Sequence, residues 1–447
     1  MKRKLINILA LVSLLCTTAC GNAGQAPQPE QTQTEQTAES ETTDKTIPAD
    51  DVKNEPSTPA EKLAAGTSGK VNLSVWVPEK EAEVTASLID GFKAEYSDVD
   101  LEINLTSLSS DSIYEDVMAG KAEAADVFEF TDDMFQGFYE AGVLSKADGK
   151  FLYDVVEADT AGAVKAVSST GEVYGYPLSI YNGCFMYYDE ALFAEADLTS
   201  LDKMGEKAKA AGKKIAFETD NAWYLYSFFG AEGTGLSVSI SSDGISNECN
   251  WNDPAGEDVA NAIIDYVKGG ILESVASNDE ALQGFEKGKY AAMVSGPWSA
   301  EDLKESASGN IAACVLPTFK AGGKECRMVS FAGYRLLGVS SASHSSEWAK
   351  LLAEYLSAKD AQLKRYGTNG ECPAMALTGD ETEIADDMVT KALNAQSEHA
   401  VPLRVGTNYY APAAMLGEAL SDGNAAGRSV KQLLKEVAEG ISSEVME

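Results

Sequence analysis

The chain has 447 residues, 44% of them apolar, and its 35 Lys and Arg face 70 Asp and Glu, for a formal net charge of −35. That balance excludes the basic footprint a nucleic-acid partner requires, and its field repels phosphorylated or polyanionic ligands. The length provides for two or three domains. With only two histidines, His344 and His399, a histidine zinc site or a Ser-His-Asp triad has little to be built from.

Lys2, Arg3 and Lys4 precede an apolar run from Leu5 to Cys16 that is too short to span a bilayer comfortably, the pattern of a targeting segment. It ends in "TTAC", residues 17–20, which resembles the lipobox of bacterial lipoproteins. The resemblance implies a signal peptide over 1–19, acylation of the Cys20 thiol and an anchor at the outer face of the membrane. Thr17 stands where the lipobox prefers leucine, so plain secretory cleavage nearby is the alternative. Residues 20–69 are rich in Gln, Thr, Glu, Pro and Ala and cannot bury enough to offset their ordering entropy. They read as a disordered tether of about fifty residues with a reach of roughly 40 Å.

From Lys70 the patterning becomes regular. "VNLSVWV" (71–77) alternates as a strand, and Glu79 to Tyr96 carries apolar residues at helical spacing. "LEINLTSL" (101–108) and "ADVFEF" (125–130) are further strands, with a helix through Val117 between them. "GYPLSIYNGCFMYYD" (175–189) reads as strand and runs into "DEALFAEA", which reads as helix. Asp253 as N-cap, Pro254 at the first helical position and the Gly269-Gly270 stop delimit another helix. In "FEKGKYAAMVSGPWSAEDL" (285–303), a buried strand meets a helix start across a Gly-Pro turn, and Trp298 sits on that turn. "FAGYRLLGVS" (331–340) returns to strand, and "RSVKQLLKEVAEGI" closes the chain as helix. Strands alternating with helices argue for α/β layers.

Several chemistries lack their residues. "GAEGTG" (230–235) has no P-loop lysine, and "SSDGISNECNWND" lacks EF-hand spacing. Neither a metal nor a cofactor is expected. Paired carboxylates for glycoside cleavage are present in any chain this acidic and carry no weight alone. Cys184, Cys249, Cys314, Cys326 and Cys372 contain no CxxC, while Cys314 and Cys326 flank one loop and could pair.

The segments "ADVFEFTDDMFQGFYEAGVL", "GEVYGYPLSIYNGCFMYYDEALF", "FEKGKYAAMVSGPWS", "IAACVLPTFKAGGKECRMVSFAGYRLLGVS" and "NYYAPAAMLGEALSDGNAAGRSVKQLLKEV" together resemble the extracellular solute-binding proteins of ABC importers, of the maltose/maltodextrin-binding type. The resemblance extends over most of residues 70–447. It implies a two-lobed α/β fold of the periplasmic-binding-protein kind with a ligand cleft between the lobes. Lobe 1 would comprise 70–179 plus 320–371 and lobe 2 would comprise 180–319 plus 372–447. Three hinge crossings would fall near Leu178–Asn182, Leu316–Lys320 and Gly370–Ala374. It further implies a monomeric binding protein, not an enzyme, that closes on a neutral oligosaccharide, first a gluco-oligosaccharide, and delivers it to permease subunits. Another neutral or cationic solute, or a surface glycosidase using carboxylates only, are the alternatives. By the same resemblance Trp298 stacks on a sugar ring, while Phe130, Trp223, Tyr409 and Tyr410 form further aromatic walls. Asp133 would accept sugar hydroxyls, Glu79 and Lys80 would contact the ligand from the loop after the first strand, and Tyr181 would replace a family glutamate. Met134 and Asn221 stand where the family has charged partners, so the family's ligand need not carry over.

Overall fold

The computed structural model describes residues 58–120, 125–147, 155, 157–240, 246–306, 310–384 and 386–443. Cys20, the targeting segment and most of the tether lie outside the described residues. In chain order the elements that matter for the site begin with α1 (Pro59–Gly66), β1 (Val71–Val77), α2 (Ala82–Glu95), β2 (Leu101–Ser107), β3 (Val127–Thr131), β4 (Tyr176–Gly183), β5 (Phe185–Asp189) and β6 (Lys214–Phe217). They continue with α3 (Ala222–Phe229), β7 (Leu272–Ser274), β8 (Tyr290–Ser295), β9 (Ile311–Cys314), β10 (Ser330–Val339), α4 (Ser346–Ser357) and α5 (Lys359–Asn369). The last are β11 (Cys372–Pro373), α6 (Met388–Ser397), β12 (Ala400–Pro402), α7 (Tyr410–Ser421) and α8 (Val430–Ile441).

These strands form two main sheets, one for each lobe of a mixed α/β fold. The first runs β11-β4-β10-β3-β1-β2, with β12 beside β10, and the second runs β7-β6-β8-β5-β9. In the first sheet β1 is parallel to β2 and β3, while β10 is antiparallel to β3 and β4. The sheet centre is covered on both faces, so β10 reads as a nearly continuous buried run in which Arg335 alone is not fully buried.

The chain crosses between lobes three times, at places that partly differ from expectation. The first crossing follows the end of β4, where Gly183 gives way to β5 of the second sheet. The second falls downstream of the expected Leu316–Lys320. There a hairpin, residues 318–327, stays with the second lobe because the Lys320 backbone N–H donates to Tyr266 Oη at 3.2 Å. The expectation puts residues 372–447 in lobe 2, but β11 pairs with β4 and β12 with β10, so the third crossing follows Pro402 instead of lying at Gly370–Ala374. Beyond it, α7 and α8 insert Leu416, Leu420, Leu433, Leu434 and Val437 into the second core.

Three local expectations also change. The tether does not extend to residue 69, since α1 is a helix with Pro59 in its first turn and a capping box. There Thr58 Oγ1 accepts from the Glu61 N–H at 3.1 Å, and Glu61 accepts from the Thr58 N–H at 2.9 Å. Trp348 Nε1 donates to Thr67 Oγ1 at 3.0 Å and ties its end to α4. The stretch "DEALFAEA" is a turn and a single 3-10 turn, because the Asp189 carboxylate accepts from the Ala191 N–H and ends the chain's run in an Asx turn. Cys314 and Cys326 do not pair: all five described cysteines are free, Cys314 lying opposite Met186 and Cys326 opposite Phe319 in their ladders.

Phe130, expected in the cleft, belongs to the core. It is 1% exposed, and its ring packs against Phe128 and Phe138 at centroid distances of 5.9 and 5.1 Å. The reason is the position of β3 between β1 and β10, which leaves only the residues after its C-terminal end open. Phe130→Ala should therefore lower unfolding stability by about 3–5 kcal/mol in urea denaturation. A loss below about 1 kcal/mol would contradict a core role.

Candidate functional site

In the second lobe, Trp298 follows β8 on a single 3-10 turn, Pro297–Ser299. Buried polar groups fix that turn: Ser295 and Ser299 Oγ both donate to Asn278 Oδ1, at 2.6 and 3.1 Å, and Tyr187 Oη donates to the Gly296 carbonyl at 3.0 Å. The indole lies back over Gly296, where a Cβ would overlap its ring. Its edge meets Trp223 at a centroid distance of 6.0 Å and 62°, and 45% of Trp298 remains exposed. Trp223 is set by the start of α3, where Asn221 Oδ1 accepts the Trp223 N–H at 3.0 Å and Asn221 Nδ2 reaches Glu218 at 3.3 Å. Trp298 thus packs over its own turn and against Trp223, and nearly half of it stays exposed.

Tyr409 and Tyr410 separate. Tyr409 is wholly buried among Tyr226, Trp251 and Phe331, and its Oη donates to the Ala222 carbonyl at 2.7 Å. Contrary to expectation it is not a wall of the cleft; it supports the first turn of α3 on which Trp223 stands. Tyr410, one residue on, is 39% exposed and meets the edge of Tyr409 at 5.3 Å.

On the first-lobe side, Tyr181 projects from the crossing strand β4 with 38% of its surface exposed. The Trp298 turn is close to that strand's end, since a Cβ on Gly296 would lie 2.6 Å from the Gly183 carbonyl. Asp133 is exposed just past β3, whereas the preceding Asp132 is buried and accepts the Tyr334 N–H at 2.8 Å. Glu79 and Lys80 are exposed on the turn between β1 and α2. Lys80 is paired with Glu371, and Asn369 Nδ2 donates to Glu81 Oε1 at 2.6 Å, so the end of α5 clamps that turn.

The structure therefore brings Trp223 and Trp298 into contact, leaves Tyr181, Tyr410, Asp133 and Glu79 exposed, engages Lys80 and withdraws Phe130 and Tyr409. Sequence reasoning missed Arg335 and Glu371. The signal for the first was a lone charge inside the apolar run "FAGYRLLGV"; the second, after Gly370, gave none. Two cavities of about 770 and 560 Å³ lie elsewhere, between α1, α2 and α4 and beside α6, and neither is lined by one of these aromatic residues.

Beneath the first-lobe side sits a buried charge cluster. Glu129 Oε1 is 3.6 Å from Arg335 and Glu81 Oε2 is 3.4 Å from Arg365. Burial, reinforced by Glu81, pushes the Glu129 carboxyl up to about 8 against the pull of the two arginines. Burial likewise raises Asp132 to about 7, although the Tyr334 N–H opposes it. Burial pushes Glu371 up too, but Arg335, Lys80 and Ser179 hold it below its ordinary value.

A family model described as bacterial extracellular solute-binding protein matches residues 87–392, more than half of the chain. The chain is 26% identical over 265 residues to the maltooligosaccharide ABC transporter solute-binding lipoprotein of Streptococcus pneumoniae, a match covering 56% of this chain. It spans 61% of that relative's own length. It is 25% identical over 358 residues to the galactooligosaccharide-binding protein of Bacillus subtilis, covering 77% of this chain and 82% of that one. Among solved structures, the extracellular solute-binding protein from Staphylococcus aureus in complex with maltose superposes with a TM-score of 0.66 at 20% identity, covering 84% of this chain and 98% of that chain.

The raised carboxyls have a consequence for stability. Folded Glu129 and Asp132 hold protons that the unfolded chain has released, so stability should fall as pH rises between their unfolded values, 4.5 and 3.8, and their folded values, about 8 and about 7. Thermal melting across that window should show a declining midpoint. Glu129→Gln, which mimics the neutral acid, should flatten the decline; an unchanged slope in that variant would contradict the assignment.

Proposed function

The chain belongs to the bacterial extracellular solute-binding proteins, a family of binding proteins and not of enzymes, and from that premise we propose that it captures a neutral oligosaccharide between its lobes. The observation that carries this reading is the Trp298–Trp223 pair, seated on a hydrogen-bonded turn with 45% of Trp298 exposed. A pyranose has apolar C–H faces and a rim of hydroxyls, so it is recognised by flat aromatic surfaces together with polar groups around them. Tyr181 and Tyr410 add aromatic surface, and Asp133 adds an acceptor for hydroxyl hydrogens. The site has few free cations, because Lys80 and Arg335 are both tied to Glu371. This suits a neutral ligand. The relatives named for maltooligosaccharides and for galactooligosaccharides support the same class, with a gluco-oligosaccharide the first choice.

Capture follows from geometry. A sugar that touches both lobes only when they are closed favours the closed state by the difference in affinity, and hinge closure of this kind is the behaviour general to periplasmic binding proteins. The closed form would hand the sugar to the permease of an ABC importer, with the protein tethered outside the cell through a lipid on Cys20.

Calorimetric titration of the mature protein with malto-, galacto-, xylo-, manno- and fructo-oligosaccharides tests the reading. One series should bind at one-to-one stoichiometry without release of reducing ends. Trp298→Ala should weaken that binding by roughly 2 kcal/mol, the scale of a central aromatic anchor. Undiminished affinity in the variant, or no heat with any sugar, would contradict the reading.

A further inference from the structure

Resting on the oligosaccharide reading, we infer that Arg335 and Glu371 are positioning residues that hold Tyr181, over Gly333, as the first-lobe stacking face opposite Trp298. Four observations converge on this. First, the ladder between β4 and β10 slips at this point: Asn182 pairs with Gly333 and Ile180 with Tyr334, so Tyr181 has no partner and is the extra residue of a bulge. Bulges re-aim a side chain and cluster beside functional sites. Second, the residue that the ring meets is a glycine, Gly333, where a Cβ would lie 2.7 Å from Tyr181 Cζ. The ring rests on bare backbone.

Third, the Arg335 guanidinium carbon lies over the Tyr181 ring, 5.2 Å from its centroid, while 38% of the residue stays exposed. Fourth, Arg335 cannot swing out to a ligand. Its Nε lies 2.8 Å from both Glu371 carboxylate oxygens, and the same carboxylate also accepts from Ser179 Oγ at 2.6 Å and from Lys80.

The energetics favour a positioning role. Arg335 and Glu371 are only 14% and 13% exposed at their side chains, and a pair taken out of water to that degree seldom stabilises a fold more than apolar residues of the same size would. What such a pair does supply is fixed geometry, here a guanidinium plane locked at the height of the tyrosine ring. Glu371 also holds Lys80, so the turn after β1 and the crossing strand β4 are joined through one carboxylate.

Two measurements decide the matter. Crystal structures of unliganded Arg335→Met and Glu371→Gln, with melting curves to confirm folding, should show the Tyr181 ring displaced from Gly333 or spread over several rotamers. A ring unmoved in both variants overturns the inference, whatever the protein binds. The second measurement is a double-mutant cycle with maltotriose, or with the sugar the titration selects, using Arg335→Met and Tyr181→Ala. Arg335→Met should weaken binding roughly tenfold, in keeping with a desolvated cation–π contact, and should add almost nothing once Tyr181 is alanine. An equal loss in both backgrounds would mean that Arg335 acts elsewhere and would overturn the inference. If no sugar binds the wild type, the oligosaccharide reading falls, while the ring's position still tests the role of Arg335.

Discussion

The antiparallel ladder between β4 and β10 is the constraint on which the rest depends. β4 runs from the buried centre of the first sheet toward the second lobe and β10 returns from it, so each lies next to a crossing. A regular ladder at that place would send every second side chain into packed protein. The slip at Tyr181 breaks the alternation, so one aromatic ring leaves the core and stands on the strand that joins the lobes. Close to the end of β4, the turn after β8 presents Trp298 above the hydrogen-bonded Ser295, Ser299 and Asn278. Neither ring depends on a flexible loop. In the proposed function this matters, because stacking on a sugar gains little if the rings must first be ordered.

Charge is handled in the same economical manner. The chain is strongly acidic, and on the first-lobe side of the site its cations are tied up, with Glu371 shared among Arg335, Lys80 and Ser179. Deeper in, Glu129 lies beyond good hydrogen-bond distance of Arg335, and both its oxygens lack a hydrogen-bond partner. A buried carboxylate so placed is costly, and burial pushes its pKa up to about 8. On the first-lobe side Arg335 and Lys80 are paired with Glu371, and Asp133 and Glu79 are the exposed carboxylates, which in the proposed function suits a solute without negative charge.

What could be read in the sequence was local. The helix Pro254–Lys268 announces itself through Asp253, Pro254 and Gly269, and it forms between those limits. The Trp298 turn is equally legible, because a Gly-Pro between a buried strand and an acidic helix start leaves its aromatic nowhere to hide. The faces of buried elements were not legible. Phe130 and Tyr409 are aromatics in the right segments, but β3 is covered on both faces and Tyr409 points inward where its neighbour Tyr410 points out. Composition cannot distinguish those orientations; packing does. The Arg335–Glu371 pair joins residues 36 apart in sequence through the end of α5, and the ladder slip that frees Tyr181 has no motif of its own. Long-range register set both.

The central claim is that one solute is held by both lobes at once. Small-angle X-ray scattering of the mature protein, alone and with saturating amounts of the sugar that calorimetry identifies, tests it most directly. A smaller radius of gyration in the bound state is the result this account predicts. Bound sugar with an unchanged radius would mean that a single lobe holds the ligand, and would contradict the account.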